Sequence, residues 1–345
     1  MLYIYKISIA IVSGTLIIFL LWQVTDMPNK NPNHFNRTFF SEAVKPAFTS
    51  QLPIITKAIA GSDSNYIYFS TKQFSKLLIL NRDTTTLGSR TINWSKDIHL
   101  ESGVFSISVH QNNVTLFANN QQLIINENID RQSSSIYRTN SRFTTGLQAN
   151  EQLFLTQQSN AYINKTLFTT YLVRGNELNA LYQTDQLLMN GDISTHGQLF
   201  FSSQLQLFIH VPYYHNRIVM FDSTLRIRRT FNTLDTISIA SLPYIKNKFS
   251  KIIINQKSAI YKDHLFISSN LKADNESPSD YYHHIPIDVY DLSRGSYKAS
   301  FYIPIQKNVL IKSMTFSPNG QLLVLFHNQV FQVFDIFNSL EPVLQ

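Results

Sequence analysis

Tyrosine and histidine side chains gathered in two short runs are the part of this sequence best suited to recognition chemistry. An aromatic ring with a polar tip supplies both apolar contact area and a hydrogen bond, which favours binding surfaces. The candidate binding residues are Tyr162; Tyr213, Tyr214 and His215; and Tyr281, Tyr282, His283 and His284. They predict a surface for a protein or peptide partner. The alternative is that these side chains only cap strand ends against neighbouring loops.

No pattern for a catalytic residue, a cofactor or a metal ion accompanies these runs. The chain has no cysteine, which excludes disulfides, thiol nucleophiles and cysteine-ligated metal centres. It also has no Gly-x-Ser-x-Gly elbow, P-loop, His-Glu-x-x-His motif or dinucleotide fingerprint. Asp274, Glu276 and Asp280 lack the alternating acidic loop of a calcium site. We predict no catalytic residue, no metal site and no cofactor.

The composition is that of a folded domain with a modest basic excess. The chain has 345 residues, of which 43% are hydrophobic and 13% aromatic, enough to bury a sizeable core. Its formal net charge of +7 is spread along the chain and favours weak attraction to acidic surfaces. The arginines of LRIRR at 225–229 are explained by an exposed strand, so we predict no nucleic-acid binding.

The chain after residue 50 has the pattern of an all-β protein. Short segments rich in β-branched and aromatic residues are bounded by Asn, Asp, Gly, Ser or Pro, which is typical of strands and turns. The predicted strands are 66–70, 76–80, 104–109, 114–117, 123–125, 153–156, 167–173, 205–211, 218–221, 264–268, 285–290, 322–326 and 330–334. Beyond the N-terminal segment, no window shows an amphipathic helix of three turns.

An internal repeat of about 45 residues organises these strands. An apolar strand that ends in a polar turn recurs near Asn81, Asn126, Arg174, Asp222, Asp291 and Asp335. One longer interval contains a polar insertion at residues 271–284. Six units of about four strands predict a six-bladed β-propeller, because a closed ring packs each sheet between two neighbours. We expect a strand near residues 54–60 to complete the last blade.

Two stretches carry a resemblance to known propeller blades. The sequence SMTFSPNGQLLVLF at 313–326 resembles the strand, turn and strand of WD40 and TolB-type blades, with Asn319 where aspartate is commoner. Residues 191–231 are similar to a blade of uncharacterised bacterial membrane-anchored six-bladed propellers of TolB-like or NHL-like type. The resemblance implies the fold and an extracytoplasmic location, and it transfers no catalytic residue.

The N-terminal segment predicts a membrane anchor. Residues 4–22 are apolar apart from Lys6 and a few small polar groups, and as a helix they span roughly 28 Å. A cleaved signal peptide is the alternative, although the next residues lack a small-residue cleavage site. We expect residues 1–26 to form the anchor and residues 51–345 the propeller. Residues 27–50 form a tether whose Phe35, Phe39 and Phe40 pack onto the folded body.

Together these features predict a single-pass protein of the bacterial inner membrane with an extracytoplasmic propeller. Its expected role is that of a non-enzymatic module that binds a protein or peptide of the cell envelope, as an accessory to a redox or export system. The alternative is a propeller enzyme, a hydrolase or an oxidoreductase, with its site in the central channel. The chemistry of the residues that line the channel separates these two hypotheses.

Overall fold

A computed structural model gives the fold of the chain as a six-bladed β-propeller. It describes residues 6, 12–19, 33–39, 44–92, 94, 105–110, 113–128, 130, 133–160, 165–185, 187, 196–237, 253–304 and 309–336. In these residues, 24 strands form six antiparallel sheets of four strands each. The predicted all-β architecture and the predicted number of blades are confirmed.

The first three blades are formed by consecutive strands, numbered outwards from the central channel. Blade 1 contains β2 (Thr56–Ser62), β3 (Tyr66–Thr71), β4 (Lys76–Asn81) and β5 (Leu87–Thr91). Blade 2 contains β6 (Phe105–His110), β7 (Asn113–Ala118), β8 (Leu123–Asn128) and β9 (Ser133–Arg138). Blade 3 contains β10 (Thr145–Gln148), β11 (Leu153–Asn160), β12 (Lys165–Arg174) and β13 (Glu177–Thr184). A single 3-10 turn, Asn119–Gln121, joins β7 to β8.

The remaining blades follow the same plan, except that the last one takes a strand from the other end of the chain. Blade 4 contains β14 (Gly197–Ser202), β15 (Leu207–Pro212), β16 (Arg217–Phe221) and β17 (Ile227–Asn232). Blade 5 contains β18 (Asn255–Tyr261), β19 (His264–Ser269), β20 (His284–Asp291) and β21 (Ser296–Pro304). Blade 6 contains β22 (Ile311–Phe316), β23 (Leu322–Phe326), β24 (Val330–Phe334) and, outermost, β1 (Pro46–Gln51).

The strand that closes the ring differs from the one predicted. β1 pairs antiparallel with β24, with Thr49 opposite Gln332. Residues 54–60, which we expected in this place, form a turn and the start of β2, the innermost strand of blade 1. The closing strand PAFTSQ escaped recognition because it lies at the edge of its sheet, where one row of side chains is exposed and polar residues are tolerated.

Six apolar clusters hold neighbouring blades together, one at each junction of the ring. The junction between blades 6 and 1 shows the pattern: Phe331 of β24 packs edge-on against Phe69 of β3, with 5.0 Å between ring centroids. The second and third strands supply most of these side chains and are buried on both faces. Each blade is therefore stabilised by two neighbours, and burial is complete only when the ring is closed.

Close approach of the inner strands requires glycine at one position near the channel. A methyl group added to Gly61 of β2 would lie 2.0 Å from the carbonyl oxygen of Val109 in β6. Because that oxygen belongs to the backbone of the next blade, it has little room to move away. Gly61 thus sets the distance between the inner strands of blades 1 and 2.

The segment before β1 is bound to blade 5. Residues 33–39, hereafter the strap, pack Phe35 into a small apolar cluster with Ile254, Leu271 and Ala273. Phe39 stacks on Tyr302, with 4.3 Å between ring centroids, and forms an isolated bridge to Ser300. The strap therefore packs onto the folded body through Phe35 and Phe39, while Phe40 lies outside the described residues.

A buried ion pair fixes the strap. The Arg37 side chain has no exposed surface and donates to Asp288 Oδ1 at 2.7 Å, to Glu276 Oε2 and to the Leu271 carbonyl oxygen at 2.9 Å. Burial lowers the pKa of Arg37, and the Asp288 and Glu276 carboxylates more than offset this, so that the pKa is raised overall. The guanidinium therefore remains charged, and each of its three nitrogens donates to an acceptor.

The N-terminal segment is described only in part. Residues 12–19 are helical, and their large apolar side chains are exposed. No helix within the described part of the chain is long and apolar enough to cross a membrane.

We expect removal of the Arg37 guanidinium to destabilise the propeller strongly. Arg37→Ala leaves two buried carboxylates without their cation, which costs about 3–5 kcal/mol of unfolding free energy. The matched control is Arg294→Ala, because this guanidinium is 67% exposed and lies 3.7 Å from Asp291. The control is expected to lose less than about 1 kcal/mol. Denaturant unfolding of both variants measures the difference, and equal losses would contradict the structural role of the strap.

A second prediction concerns the inner strands. Gly61→Ala is expected to lower the unfolding free energy by about 1–3 kcal/mol, because the added methyl group overlaps a backbone oxygen. Gly88→Ala is the control, since its methyl group would meet nothing closer than 3.8 Å. Thermal unfolding of the two variants tests this, and a Gly61→Ala protein as stable as the control would show that the blades can separate without cost.

Candidate functional site

The turns between the second and third strands share one face of the ring with the connections between blades. This is the upper face, and the opposite one is the lower face. The turn and the connection are joined by the same backbone hydrogen bond in several blades. The donors and acceptors are Lys72 N to Ile55 O, Tyr213 N to His196 O, Asn270 N to Ile254 O and His327 N to Leu310 O. The two predicted tyrosine and histidine runs therefore lie on the same face, in consecutive blades.

The first run forms the turn between β15 and β16 of blade 4. Tyr213 and Tyr214 are half-buried, with 6.2 Å between their ring centroids. The Tyr213 carbonyl oxygen accepts the backbone N–H of Ile254 at 2.7 Å, which ties the turn to blade 5. The Lys257 ammonium lies 6.0 Å from the centre of the Tyr213 ring. Burial raises the pKa of Tyr213 and lowers the pKa of Lys257.

His215, the third member of this run, is 2% exposed. Its Nδ1 accepts the backbone N–H of Arg217 at 3.1 Å, and its carbonyl oxygen accepts the Asn255 amide at 3.1 Å. The His215 side chain therefore lies inside the turn and supports it. We expected it on the binding surface, and it is buried instead. Tyr162 comes between β11 and β12 in the sequence and lies outside the described residues.

The second run lies on the insertion between β19 and β20 of blade 5, which contains a short helix, Pro278–His283. Ser277 caps this helix by accepting the Asp280 backbone N–H at 3.0 Å, and Pro278 occupies its first turn. These two features allow a helix of only six residues to form in a polar loop. The helix holds the tyrosines and His283 above the edge of blade 5.

The four residues of the second run divide into two anchored side chains and two exposed ones. Tyr281 donates its hydroxyl to the Asn270 carbonyl oxygen at 2.7 Å, and the His284 ring lies 5.0 Å from that of Tyr302. Burial, followed by the nearby Glu276 carboxylate, raises the pKa of Tyr281. Tyr282 is 64% exposed and His283 is also exposed. Tyr282 and His283 are therefore the members of the run that are best placed to contact a partner.

The strap connects the two runs. Phe35 packs on Ile254, whose N–H binds the Tyr213 turn, and on Leu271 at the start of the insertion. The acids of the insertion serve this contact: Asp274 accepts the backbone N–H of Asn33 at 2.8 Å, and Glu276 pairs with Arg37. Their roles are structural, and within the described residues no three His, Asp or Glu side chains gather as metal ligands.

The lower face contains a funnel that the sequence did not reveal. Its volume is about 660 Å³, and it is lined by the inner strands or first turns of all six blades. The polar groups of its wall are mainly hydroxyls and amides, among them Ser62, Ser106, Ser108, Asn113, Gln148, Asn150, Ser202 and Thr315. Ionisable side chains of the described wall include His110, Glu151 and Lys262. The funnel is open rather than filled by aliphatic side chains, and it offers hydrogen bonds to a polar ligand.

The funnel was missed because its strands have no strong apolar pattern. β10 reads TGLQ and is only half-buried throughout. The sequence did contain one indication of a channel: Ser106 and Ser108 alternate with Ile107 and Val109 along β6. Such alternation of small polar and apolar residues is typical of a strand that faces a wet channel on one side and a core on the other.

Comparison with known proteins supports the fold and goes no further. No protein-family model matches the sequence, and no curated protein matches it. Among solved structures, a member of the DUF4221 family from Bacteroides vulgatus superposes with a TM-score of 0.52 at 12% identity, over 85% of this chain and 97% of that one. A streptogramin B lyase gives 0.50 at 10% identity, over 86% and 100% of the two chains. Hydrazine synthase from Kuenenia stuttgartiensis gives 0.50 at 11% identity, over 86% and 81%. At such identities the chain is similar to these proteins in its propeller fold alone.

Proposed function

We propose that the chain is a propeller interaction module whose upper face, around blades 4 and 5, binds a protein or peptide partner. The observation that carries this proposal is the exposure of Tyr282 and His283 on an insertion that is fixed at both ends. A large ring that is 64% exposed gains considerable contact area when a partner covers it. Because the insertion is already ordered by Arg37 and Ser277, little conformational entropy is lost on binding.

The half-buried pair Tyr213 and Tyr214 extends this surface onto blade 4. Both rings are partly accessible, and their turn is linked to the insertion through Ile254 and Phe35. A partner that covers Tyr282 can therefore also contact the tyrosines of the neighbouring blade. Recognition by tyrosine rings on a rigid scaffold is the usual way in which loops of a stable fold acquire binding activity.

We further propose that the apolar N-terminal segment holds the propeller at a membrane, with the upper face available in the cell envelope. The described helical residues 12–19 support this, since Val12, Leu16, Ile17, Ile18 and Phe19 expose more than half of their surface. Apolar side chains on one short helix gain free energy when lipid covers them. In this arrangement the partner is a component of the same envelope, such as a redox or export assembly.

The central channel is the place for the alternative function, a propeller enzyme. The funnel has room for a small molecule, and its hydroxyl and amide groups suit recognition of a polar one. We favour the upper face because its exposed tyrosine and histidine side chains stand on an insertion that Ser277 and Arg37 hold in place.

The binding proposal predicts that two side chains carry much of the affinity for a partner. Tyr282→Ala/His283→Ala is expected to reduce capture of the partner at least ~10-fold in a pull-down from detergent-solubilised membranes. Tyr182→Ala is the matched control, because Tyr182 is 48% exposed on the outer strand of blade 3. The control is expected to capture as much as the unmodified chain. Full capture by a folded double variant would remove the assignment of this surface.

The membrane proposal predicts a change in fractionation. Val12→Asp/Ile17→Asp places two charges among the exposed apolar side chains of the N-terminal helix, and each charge costs roughly 2.5–3.5 kcal/mol inside a bilayer. The full chain is expected to sediment with membranes after carbonate washing, and the variant to remain in the supernatant. Thr15→Ser serves as a neutral control in the same segment. If the unmodified chain were washed off as readily as the variant, the proposal would be wrong.

A further inference from the structure

The inner strands of blades 5, 6 and 1 begin at the upper rim of the channel with the same irregularity. In each of them the pairing with the second strand shifts by one residue near its start. The residue inside the shift is Gln256 in β18, Lys312 in β22 and Lys57 in β2. A β-bulge of this kind bends the strand and turns a side chain away from its regular direction. Two of three consecutive blades thus present a lysine at equivalent places on the rim.

These lysines are held by the backbone of the next blade. Lys312 Nζ donates to the carbonyl oxygen of Thr56 at 2.7 Å. Lys57 Nζ donates to the carbonyl oxygen of Phe105 and lies 3.9 Å from the centre of the Phe105 ring. A carbonyl oxygen and an aromatic ring stabilise an ammonium group without cancelling its charge. Both lysines are therefore fixed on the rim by contacts that do not neutralise their ammonium groups.

Further basic side chains lie near them on the same face. Lys72 and His327 are exposed and occupy equivalent positions directly after the second strands of blades 1 and 6, while Lys257 lies on the Tyr213 ring. Burial lowers the pKa of Lys312, and Lys72 lowers it further. Burial, then Lys312 and Lys257, lower the pKa of His327. In the part of the chain that the structure describes, no carboxylate offsets these shifts.

Exposed aliphatic side chains lie on the same rim. Ile54, Ile253 and Leu310 are 78%, 41% and 51% exposed, and each stands in the connection that precedes an inner strand of blades 1, 5 and 6. Isolated exposed aliphatics are common, but Ile54 and Ile253 occupy equivalent positions, one residue before the carbonyl that accepts the N–H of the upper turn, and Leu310 lies in the same connection of blade 6. The rim therefore combines concentrated positive charge with apolar contact area.

We propose that the upper rim of blades 5, 6 and 1 binds an acidic protein segment whose carboxylates meet the lysines and whose apolar side chains cover the aliphatic residues. The inference rests on the proposed function and names the chemistry of its partner. Charge complementarity favours an acidic occupant, since the rim would repel a basic one. Within the described rim the fixed charges are lysines, which act as point charges and lack the planar fork with which arginine recognises phosphate. The apolar residues favour a peptide over a small anion.

Fluorescence anisotropy of a labelled peptide of repeated Glu-Glu-Leu units, added to the full chain in detergent, tests the inference. A peptide of repeated Gln-Gln-Leu units is the uncharged comparison. The rim variant is Lys72→Glu/Lys257→Gln. It keeps Lys57 and Lys312, whose ammonium groups bond to the next blade. The control is Arg174→Glu/Arg294→Gln, which removes the same total charge from exposed positions on the lower face. Thermal unfolding checks that both variants are folded.

We expect the acidic peptide to bind the unmodified chain and the control with affinities within about twofold of each other, and the rim variant about tenfold more weakly. Equal weakening in the rim variant and the control would show that only net charge matters, and would overturn the site. Equal binding of the Gln-Gln-Leu peptide would overturn the role of charge. Stronger competition by inorganic phosphate or a short DNA duplex than by unlabelled acidic peptide would overturn the class of partner.

Failure of this inference is distinguishable from failure of the proposed function. If the acidic peptide does not bind but the pull-down still depends on Tyr282 and His283, the partner is not acidic. The proposal of an interaction module is then retained. If the pull-down does not depend on Tyr282 and His283 while the peptide still requires Lys72 and Lys257, the tyrosine surface is wrong and the lysine rim is retained.

Discussion

Closure of the ring is the constraint on which the rest of this structure depends. Each blade is a four-stranded sheet with two apolar faces, and neither face can be buried within the blade itself. Of the six apolar clusters at the blade junctions, the one between blades 6 and 1 forms only when the first and last blades meet. That junction depends on β1, the N-terminal strand that completes blade 6 by pairing with β24. A pairing between residues close to 46 and close to 334 therefore completes the last blade and lets blades 6 and 1 bury the faces they share.

The strap adds a second constraint of a different physical kind. Arg37 pairs with two carboxylates of blade 5 in a buried site, and this polar contact fixes one direction and register of the chain. The next described residues lead directly into β1 of blade 6. The strap thus binds blade 5 immediately before the chain closes blade 6. The same contact orders the insertion that carries Tyr282 and His283, so that stability and the proposed binding surface share one anchor.

The two faces of the propeller are chemically different as a result of its strand order. Short first turns surround the funnel on the lower face, whose wall combines hydroxyl and amide groups with aromatic and aliphatic side chains. The upper face receives the blade connections, the insertion and the strap, and it gathers exposed aromatic, aliphatic and cationic side chains. This separation allows a surface for a partner to be built on a scaffold whose burial is already complete.

Much of the architecture was predictable from the sequence, because the central strands of each blade are buried on both faces. β3, β15 and β23 have near-continuous apolar runs, and their period of about 45 residues indicates both the repeat and the number of blades. The outermost strands have no such signal: every residue of β5 is exposed, and β17 alternates between exposed and half-buried positions. The innermost strands β10, β14 and β18 were missed for a related reason, since one of their faces lines a channel. Tyr213, Tyr214 and the second run were placed on a common face because the order of strands in a blade determines on which face each turn lies.

The sequence by itself determined the fold class, the number of blades and the face on which the tyrosine and histidine runs lie, because these follow from local patterns of apolar residues and turns. Only the tertiary structure decided which segment closes the ring, that His215 is buried, that Arg37 meets Asp288 and Glu276, and that Lys57 and Lys312 occupy equivalent bulges. Each of these depends on residues far apart in the chain that meet only after the blades have packed, and no local pattern records such a partner.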